Sequence, residues 1–392
     1  MSRPTVEVAD IIRAQGDRFL DSHREQISYQ QLNVLKAISR CRTAALGGHI
    51  DDCPRCRHQA ISYNSCRNRH CPKCQAQARQ RWLAAREKEL LGVSYFHVVF
   101  TLPHELIPLC QRNPQVLYNL LFRASAATLL EIAADPKHLG AEIGFLSILH
   151  TWGQNLLAHP HVHCVIPGGG FSADRARWVH PKYPFFLPVK VLSRVFRGKF
   201  VDGLKRAYRQ KKIRFSRANA ALEEPKLFLR FLRTLFREDW VVYAKPAFGG
   251  APQVLRYLGR YTHRVAISNH RLLAFDGERV TFRWKDYAHG NKQRKMTLTA
   301  TEFLRRFLQH VLPRGFVRIR QFGFLANSCR TARLRLARQL LTVTPKPREP
   351  CAPSDTHPPA TWRCPRCGAA MHIGPNLTAT QLASRCSFFD SS

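Results

Sequence analysis

The sequence predicts an α+β fold, with strand-like runs interspersed among helical stretches and no repeat period. Three observations carry this reading. Residues 95–102, 143–150 and 158–166 are β-branched and aromatic runs of core-strand type. Residues 5–47 and 114–134 carry helical apolar periodicity. A cysteine-rich stretch at 53–74 separates the first helices from the first strand, marking a small metal-stabilised unit ahead of the core.

Taken in order, Val8, Ile11 and Ile12, then Leu32, Leu35 and Ile38, mark the apolar face of the N-terminal helices, which end at Gly47-Gly48. After the cysteines an Arg/Lys/Ala-rich helix runs to Leu91. Tyr95–Leu102 forms the first core strand, stopped by Pro103. The helix 114–134 and the strands 143–150 and 158–166 follow. Residues 194–217 hold ten Lys/Arg and a single acid, Asp202, and read as a basic helical insertion. Val254, Leu255 and Leu258 point to a helix over 254–262. Strands at 264–275 and 279–284 are joined across Asp276-Gly277, a hairpin signal. Beyond residue 340, proline and small polar residues predict a loosely ordered tail. Domain boundaries are therefore expected near 1–92, 93–330 and 331–392.

A chain of 392 residues has room for two or three domains, and 45% hydrophobic with 22% charged residues is an ordinary globular balance. Its charge is not ordinary: 62 Lys+Arg oppose 26 acids, a formal +36. A polyanion is the natural partner, nucleic acid above all, and binding is expected to weaken steeply with salt. No long apolar span or lipidation signal supports a membrane. The start, Met1-Ser-Arg-Pro, lacks the apolar core of a signal peptide, so a cytoplasmic, nucleoid-associated protein is expected. In that reducing compartment the 13 cysteines are better read as metal ligands than as disulfides.

Cys53-Pro-Arg-Cys56 and Cys71-Pro-Lys-Cys74 are two Cys-x-x-Cys knuckles fourteen residues apart. Each can present two thiolates, and together they predict one structural, tetrahedral Zn²⁺ site with no open position. Cys41, His49, Cys66 and His70 are further candidates for the same site or a second ion. Arg67, Arg69 and the following helix offer cations for phosphate, or simply a solvated face. A third pair, Cys364-Pro-Arg-Cys367, has Cys351, His372 and Cys386 nearby but no matching knuckle, and reads as a weak candidate zinc site in the tail.

Residues 158–170 read Ala-His-Pro-His-Val-His-Cys-Val-Ile-Pro-Gly-Gly-Gly. Alternation on a strand projects His161 and His163 from one face, a preformed half of a divalent-metal site. Tyr257-Leu-Gly-Arg-Tyr261 sets two phenols one helical turn apart, with Arg256 and Arg260 parallel to them and suited to backbone phosphates. A tyrosine of pKa about 10 is a poor nucleophile unless its target is activated. A metal ion held by histidines does that for a phosphoryl group. Trp284 and Phe282 could stack flipped bases, although core packing explains each on its own.

This combination resembles the rolling-circle transposases of the insertion sequence ninety-one family, within the two-tyrosine HUH single-strand endonucleases. The HUH triplet is matched by His161-Val162-His163, the tyrosine motif by Tyr257 to Tyr261, and the N-terminal zinc domain by Cys53 to Cys74 with the run Tyr63-Asn-Ser-Cys-Arg-Asn-Arg-His-Cys-Pro-Lys-Cys74. The blocks Phe96–His104 and Leu312–Gly323 match as well, and the resemblance spans residues 10–330. It implies a central antiparallel sheet flanked by helices behind a helical zinc-binding domain. It also implies Mg²⁺ or Mn²⁺ on His161, His163 and a third ligand, for which His159, Gln154 and Gln253 are candidates. Tyr257 or Tyr261 would then attack single-stranded DNA at transposon ends, leaving a 5′-phosphotyrosine and needing no nucleotide cofactor. Other readings are a non-catalytic zinc-dependent DNA-binding protein and a tyrosine site-specific recombinase. Metal-dependent nicking separates the first, and survival of activity in chelator the second. A carboxylate-triad transposase lacks a convincing set among the 26 acids.

Overall fold

The computed structural model describes residues 4–182, 186–248, 253–254, 259, 265–286, 289–342 and 362–386. It opens with helices α1 (Val8–His23) and α2 (Tyr29–Ser39). Ser28 caps α2, its side chain accepting from the Gln31 amide while the Gln31 side chain accepts from the Ser28 amide. Strands β1 (Gly48–Asp52) and β2 (Gln59–Tyr63) flank the first cysteine knuckle, and α3 (Gln75–Glu87) follows the second.

The central domain comprises β3 (Tyr95–Thr101), α4 (Ile107–Arg112), α5 (Pro114–Ala134), β4 (Gly144–Trp152) and β5 (Ala158–Pro167). After these come the short pair β6 (Gly170–Phe171) and β7 (Trp178–Val179), then α6 (Val189–Arg209), α7 (Pro225–Thr234) and β8 (Val242–Phe248). A meander of β9 (Leu272–Phe275), β10 (Arg279–Asp286) and β11 (Lys292–Thr299) leads into α8 (Ala300–Leu308). Then come β12 (Ile319–Gly323), α9 (Arg330–Thr342), β13 (His372–Leu377) and α10 (Ala379–Cys386).

Five strands form one sheet in the order β12-β4-β5-β3-β8, every neighbouring pair antiparallel. The histidine-bearing β5 is its middle strand. Phe96, Val98 and Phe100 of β3, with Val162, Cys164 and Ile166 of β5, point to one face and are buried under α5 and α6. That one-sided apolar load explains the long helices: Leu117, Leu121 and Phe122 of α5 and Phe196, Phe200 and Leu204 of α6 are wholly buried against it. Among the described residues α5 is long and apolar enough to cross a membrane, but here it is a core helix.

After β5 the chain must leave the sheet sharply. Gly169 does this at φ +126°, where a Cβ would lie 2.3 Å from the Val179 carbonyl oxygen.

The expected α+β class and the antiparallel sheet are found. Some boundaries moved. The basic helix starts earlier and ends at Arg209. The strand expected over 264–275 shrinks to β9, and Asp276 accepts amides from Glu278 and Arg279 to form the expected turn. The N-terminal helices do not stand alone. Val8, Ile11, Val34 and Ile38 share a core with Phe282, Phe303 and Phe307, and the buried Val8 amide donates to Asn269 Oδ1 at 3.2 Å. The tail also departs from expectation: β13 pairs with β1 to make a three-stranded sheet with β2, and Leu377 and Leu382 bury against Ile50.

Candidate active site and cysteine clusters

On the sheet face opposite α5 and α6, β5 presents His161 and His163, and β4 presents His150 directly across from His161. The three imidazoles offer ligand nitrogens all within 4.8 Å of one another. His150 and His163 are buried and His161 is half-buried. His161 Nδ1 lies 2.6 Å from the His159 carbonyl oxygen. A carbonyl only accepts, so Nδ1 carries the proton and Nε2 is the lone-pair nitrogen. His163 Nδ1 lies 2.9 Å from Nε2 of His97, which β3 places beside it with the rings stacked at 5.1 Å. With the proton on His163 Nδ1, its Nε2 becomes the second lone-pair nitrogen. The His150 ring stacks on Trp152 at 4.7 Å, and Trp152 meets His310 edge-on at 6.0 Å. His310 pairs with the Leu156 carbonyl at 3.0 Å and with the Thr151 hydroxyl at 3.2 Å; burial holds its pKa down to about 4. Three imidazoles on neighbouring strands of one sheet fit a divalent transition ion by donor chemistry.

His150 and His97 are the residues that sequence reasoning missed. The signal for His150 was a hairpin: a turn at 153–157 puts it opposite His161, but only if the register is known. Of the third-ligand candidates, His159 lies at the exposed end of β5, outside the cluster, with its ring 5.0 Å from that of His161. Gln154 sits in the β4–β5 turn, its carbonyl accepting from Arg271. Gln253 is exposed on a helical segment.

Tyr257, Tyr261, Arg256 and Arg260 lie outside the described residues. The chain around them does pack on the histidine face. Val254 is buried among Tyr95, Leu146, Ile148 and Val165, which share a face of the sheet with His97, His150 and His163. Gly259, between the two tyrosines, approaches Leu83 of α3, where an added Cβ would sit 3.1 Å from Leu83 Cδ1.

The single site expected from Cys53, Cys56, Cys71 and Cys74 is divided between two clusters. Cys71 and Cys74 join Cys41 and Cys66, while Cys53 and Cys56 join Cys364 and Cys367; each set has its sulfurs within 4.8 Å. The reason is geometric. The knuckle at 53–56 sits at the far end of β1 and β2, whereas Cys41 at the end of α2 is buried beside Cys66, Cys71 and Cys74. Cys41 Sγ lies 3.5 Å from Cys74 Sγ and 3.6 Å from Cys71 Sγ. Held this close, the thiols compete for protons. Cys74 is pulled down by bonds from Cys41, Cys66 and Cys71, while the same kind of contact pushes Cys71 up. A divalent cation resolves that competition by accepting all four as thiolates.

His70 is no ligand. It accepts the Leu312 amide through Nε2 at 3.4 Å, and burial lowers its pKa to about 3. His49 instead faces Asp51 at 3.3 Å. Arg67 is exposed, as phosphate contact requires. Arg69 is not: its guanidinium donates to the Phe316 carbonyl at 2.7 Å and braces the cysteine unit against the central domain. Phe282 is fully buried, so it is a core residue and not a stacking platform, and Trp284 packs against the same core.

Comparison with known proteins bears on this arrangement. Residues 144–332 match a family described as "Putative transposase", and residues 11–102 match the "Transposase zinc-binding domain" of the insertion sequence ninety-one type. The chain is 52% identical over 382 residues to a protein of Sinorhizobium fredii named "Putative transposase y4qJ", covering 96% of both chains. It is 29% identical over 353 residues to the "Transposase for insertion sequence element IS801" of Pseudomonas savastanoi pv. phaseolicola, covering 87% of this chain and 82% of that one. No solved structure matches. The chain belongs to the transposases of the insertion sequence ninety-one family, with an N-terminal zinc-binding domain ahead of the transposase domain.

Proposed function

We propose that this transposase nicks and joins single-stranded DNA through a 5′-phosphotyrosine, as an HUH endonuclease of rolling-circle transposition. The observation that carries it is the His150–His161–His163 face, with Val254 and Gly259, the neighbours of the tyrosine pair, packed on the same side of the sheet. Each residue then has a defined task. His150, His161 and His163 hold the divalent ion, with their tautomers set by the His159 carbonyl and by His97. An ion held there would supply the Lewis acidity that polarises a phosphoryl oxygen and stabilises the charge developing in the transition state. Tyr257 or Tyr261 attacks phosphorus through its phenolic oxygen; the 3′ oxygen leaves and takes up a proton, giving a free 3′-hydroxyl. The ester energy stays in the tyrosine link, so the reverse attack by a 3′-hydroxyl joins strands without a nucleotide cofactor. The second tyrosine serves the second cleavage. Arg256, Arg260 and Arg67 supply phosphate contacts.

All three donors are imidazole nitrogens, and such a set suits Mn²⁺ better than Mg²⁺, which prefers oxygen. Structural Zn²⁺ belongs with Cys41, Cys66, Cys71 and Cys74, four thiolates and no open position. Acting on DNA, the protein is expected in the cytoplasm.

An oligonucleotide carrying a transposon end tests the reading. Wild type with Mn²⁺ should leave protein on the 5′ end of the nicked strand. Tyr257→Phe/Tyr261→Phe should abolish the adduct, and His161→Ala should slow nicking by roughly three orders of magnitude. Equal adduct yields from wild type and the double tyrosine variant would sink the proposal.

A further inference from the structure

We infer that Cys53, Cys56, Cys364 and Cys367 form a second Zn²⁺ site, built half from each end of the chain, whose ion fastens segment 362–386 to the N-terminal domain. The matched zinc-binding domain covers residues 11–102 and so contains only two of these ligands.

Sulfur spacing is the first support. Cys53 Sγ lies 3.4 Å from Cys367 Sγ, and Cys56 Sγ lies 3.5 Å from Cys364 Sγ. A tetrahedral ion with zinc–sulfur bonds near 2.3 Å sets its sulfurs about 3.8 Å apart. Disulfides, at about 2.05 Å, would need sulfurs much closer than these.

The second support is that the two halves are built alike. Both read Cys-Pro-Arg-Cys, and in both the residue after the second cysteine has positive φ: Arg57 at +55° and Gly368 at +72°. In the first, the Arg57 amide donates to the Cys53 carbonyl and the Cys53 amide to the His58 carbonyl, both at 2.9 Å. In the second, the Gly368 amide donates to the Cys364 carbonyl at 2.9 Å and the Cys364 amide to the Ala369 carbonyl at 2.8 Å. The same turn thus recurs at each end of the chain, 308 residues apart by the Cys56–Cys364 separation. Each turn directs two sulfurs toward the other. Two facing knuckles of this kind supply four thiolates and no open position.

The third support is how little apolar packing holds the segment beside the β1–β13 ladder. Its apolar contacts are two patches, one of Ile50, Leu377 and Leu382, the other of Cys53, Cys364 and Met371. So small a core does not order a strand and a helix by itself; small units of this size rely on a metal or disulfides. Arg55, Arg57, Arg363 and Arg366, all exposed, lie in or beside the two knuckles in sequence and bring positive charge to four thiolates on a dication.

The test uses full-length protein purified under reducing conditions, with metal content read by mass spectrometry. Cys364→Ser/Cys367→Ser should lower zinc by about one equivalent per chain. Cys66→Ser/Cys74→Ser should remove a different equivalent, so the losses add when the variants are combined. In the first variant, hydrogen exchange of 372–377 should rise by roughly tenfold or more while α5 stays protected. Cobalt titration of wild type provides a readout free of any folding defect: two tetrathiolate equivalents should appear in the sulfur-to-metal absorption. Wild-type zinc unchanged by the Cys364/Cys367 substitutions, one cobalt tetrathiolate instead of two, iron in place of zinc, or a Cys53–Cys367 disulfide would each overturn the inference.

Discussion

His97 reaches the histidine cluster only through His163, its Nε2 lying 2.9 Å from His163 Nδ1 on a neighbouring strand. In the mechanism proposed above it is a positioning residue: it would hold the ring plane and the tautomer of His163, a proposed ligand, without being one. Replacing it by Ala should raise the Mn²⁺ concentration for half-maximal nicking by about 10- to 100-fold, with the rate at saturating Mn²⁺ much less changed. His97→Gln, which can still bond Nδ1, should recover part of that affinity. A variant with unaltered metal dependence would show that His97 only fills space. Residue chemistry was the most legible layer in the sequence. His161 and His163 were readable because alternation on a strand needs no tertiary knowledge. His150 was not, since its role depends on a register that only the folded hairpin sets.

At the scale of elements, the exit from β5 depends on one backbone conformation. Gly169 combines φ +126° with a carbonyl 2.3 Å from where a Cβ would lie, whereas Gly277 has φ +101° and nothing within 4 Å. Gly169→Ala should therefore cost about 2 kcal/mol or more, and Gly277→Ala about 1 kcal/mol, read from urea midpoints. Equal costs would mean that strain alone, without the clash, governs both. The cysteine knuckles teach a related lesson about legibility. A Cys-x-x-Cys spacing announces a half-site, but it does not say which half-sites meet. Sequence proximity favoured joining 53–56 to 71–74; the strands β1 and β2 carry the first knuckle away from the second, toward a segment three hundred residues on. Strands β8 and β12 also escaped notice, β8 because Pro246 interrupts it and β12 because it is only five residues long and flanked by charge.

For the whole molecule, pH is a sensitive lever because His310 is buried and neutral, with its pKa lowered to about 4. Below its unfolded value of about 6.5 the unfolded chain takes up a proton that the folded chain refuses. Stability is thus unaffected above pH 6.5 and falls as pH drops from there toward 4, by roughly 3 kcal/mol in total from this group. Urea midpoints at pH 7 and pH 5 should show the loss, and His310→Gln should lessen it, leaving the share of the buried His70, whose pKa is lowered to about 3; an equally steep fall in that variant would assign the effect elsewhere. At this scale the composition was readable, a strongly basic chain for a polyanion, but the tail was not. Proline and small polar residues from 340 onward argue against an apolar core, and they say nothing about a segment ordered by thiols.

The meeting of the two Cys-Pro-Arg-Cys turns also has a meaning in time. All three clustered histidines lie between residues 150 and 163 and can come together as soon as one hairpin has emerged. Cys53 and Cys56, by contrast, are made 308 residues before the sulfurs they face, by the Cys56–Cys364 separation. At about 5–20 residues per second, that is a wait of roughly a quarter-minute to a minute on the ribosome. The terminal cluster is therefore among the last native contacts to form, and a chain that stops short of residue 364 cannot form it at all.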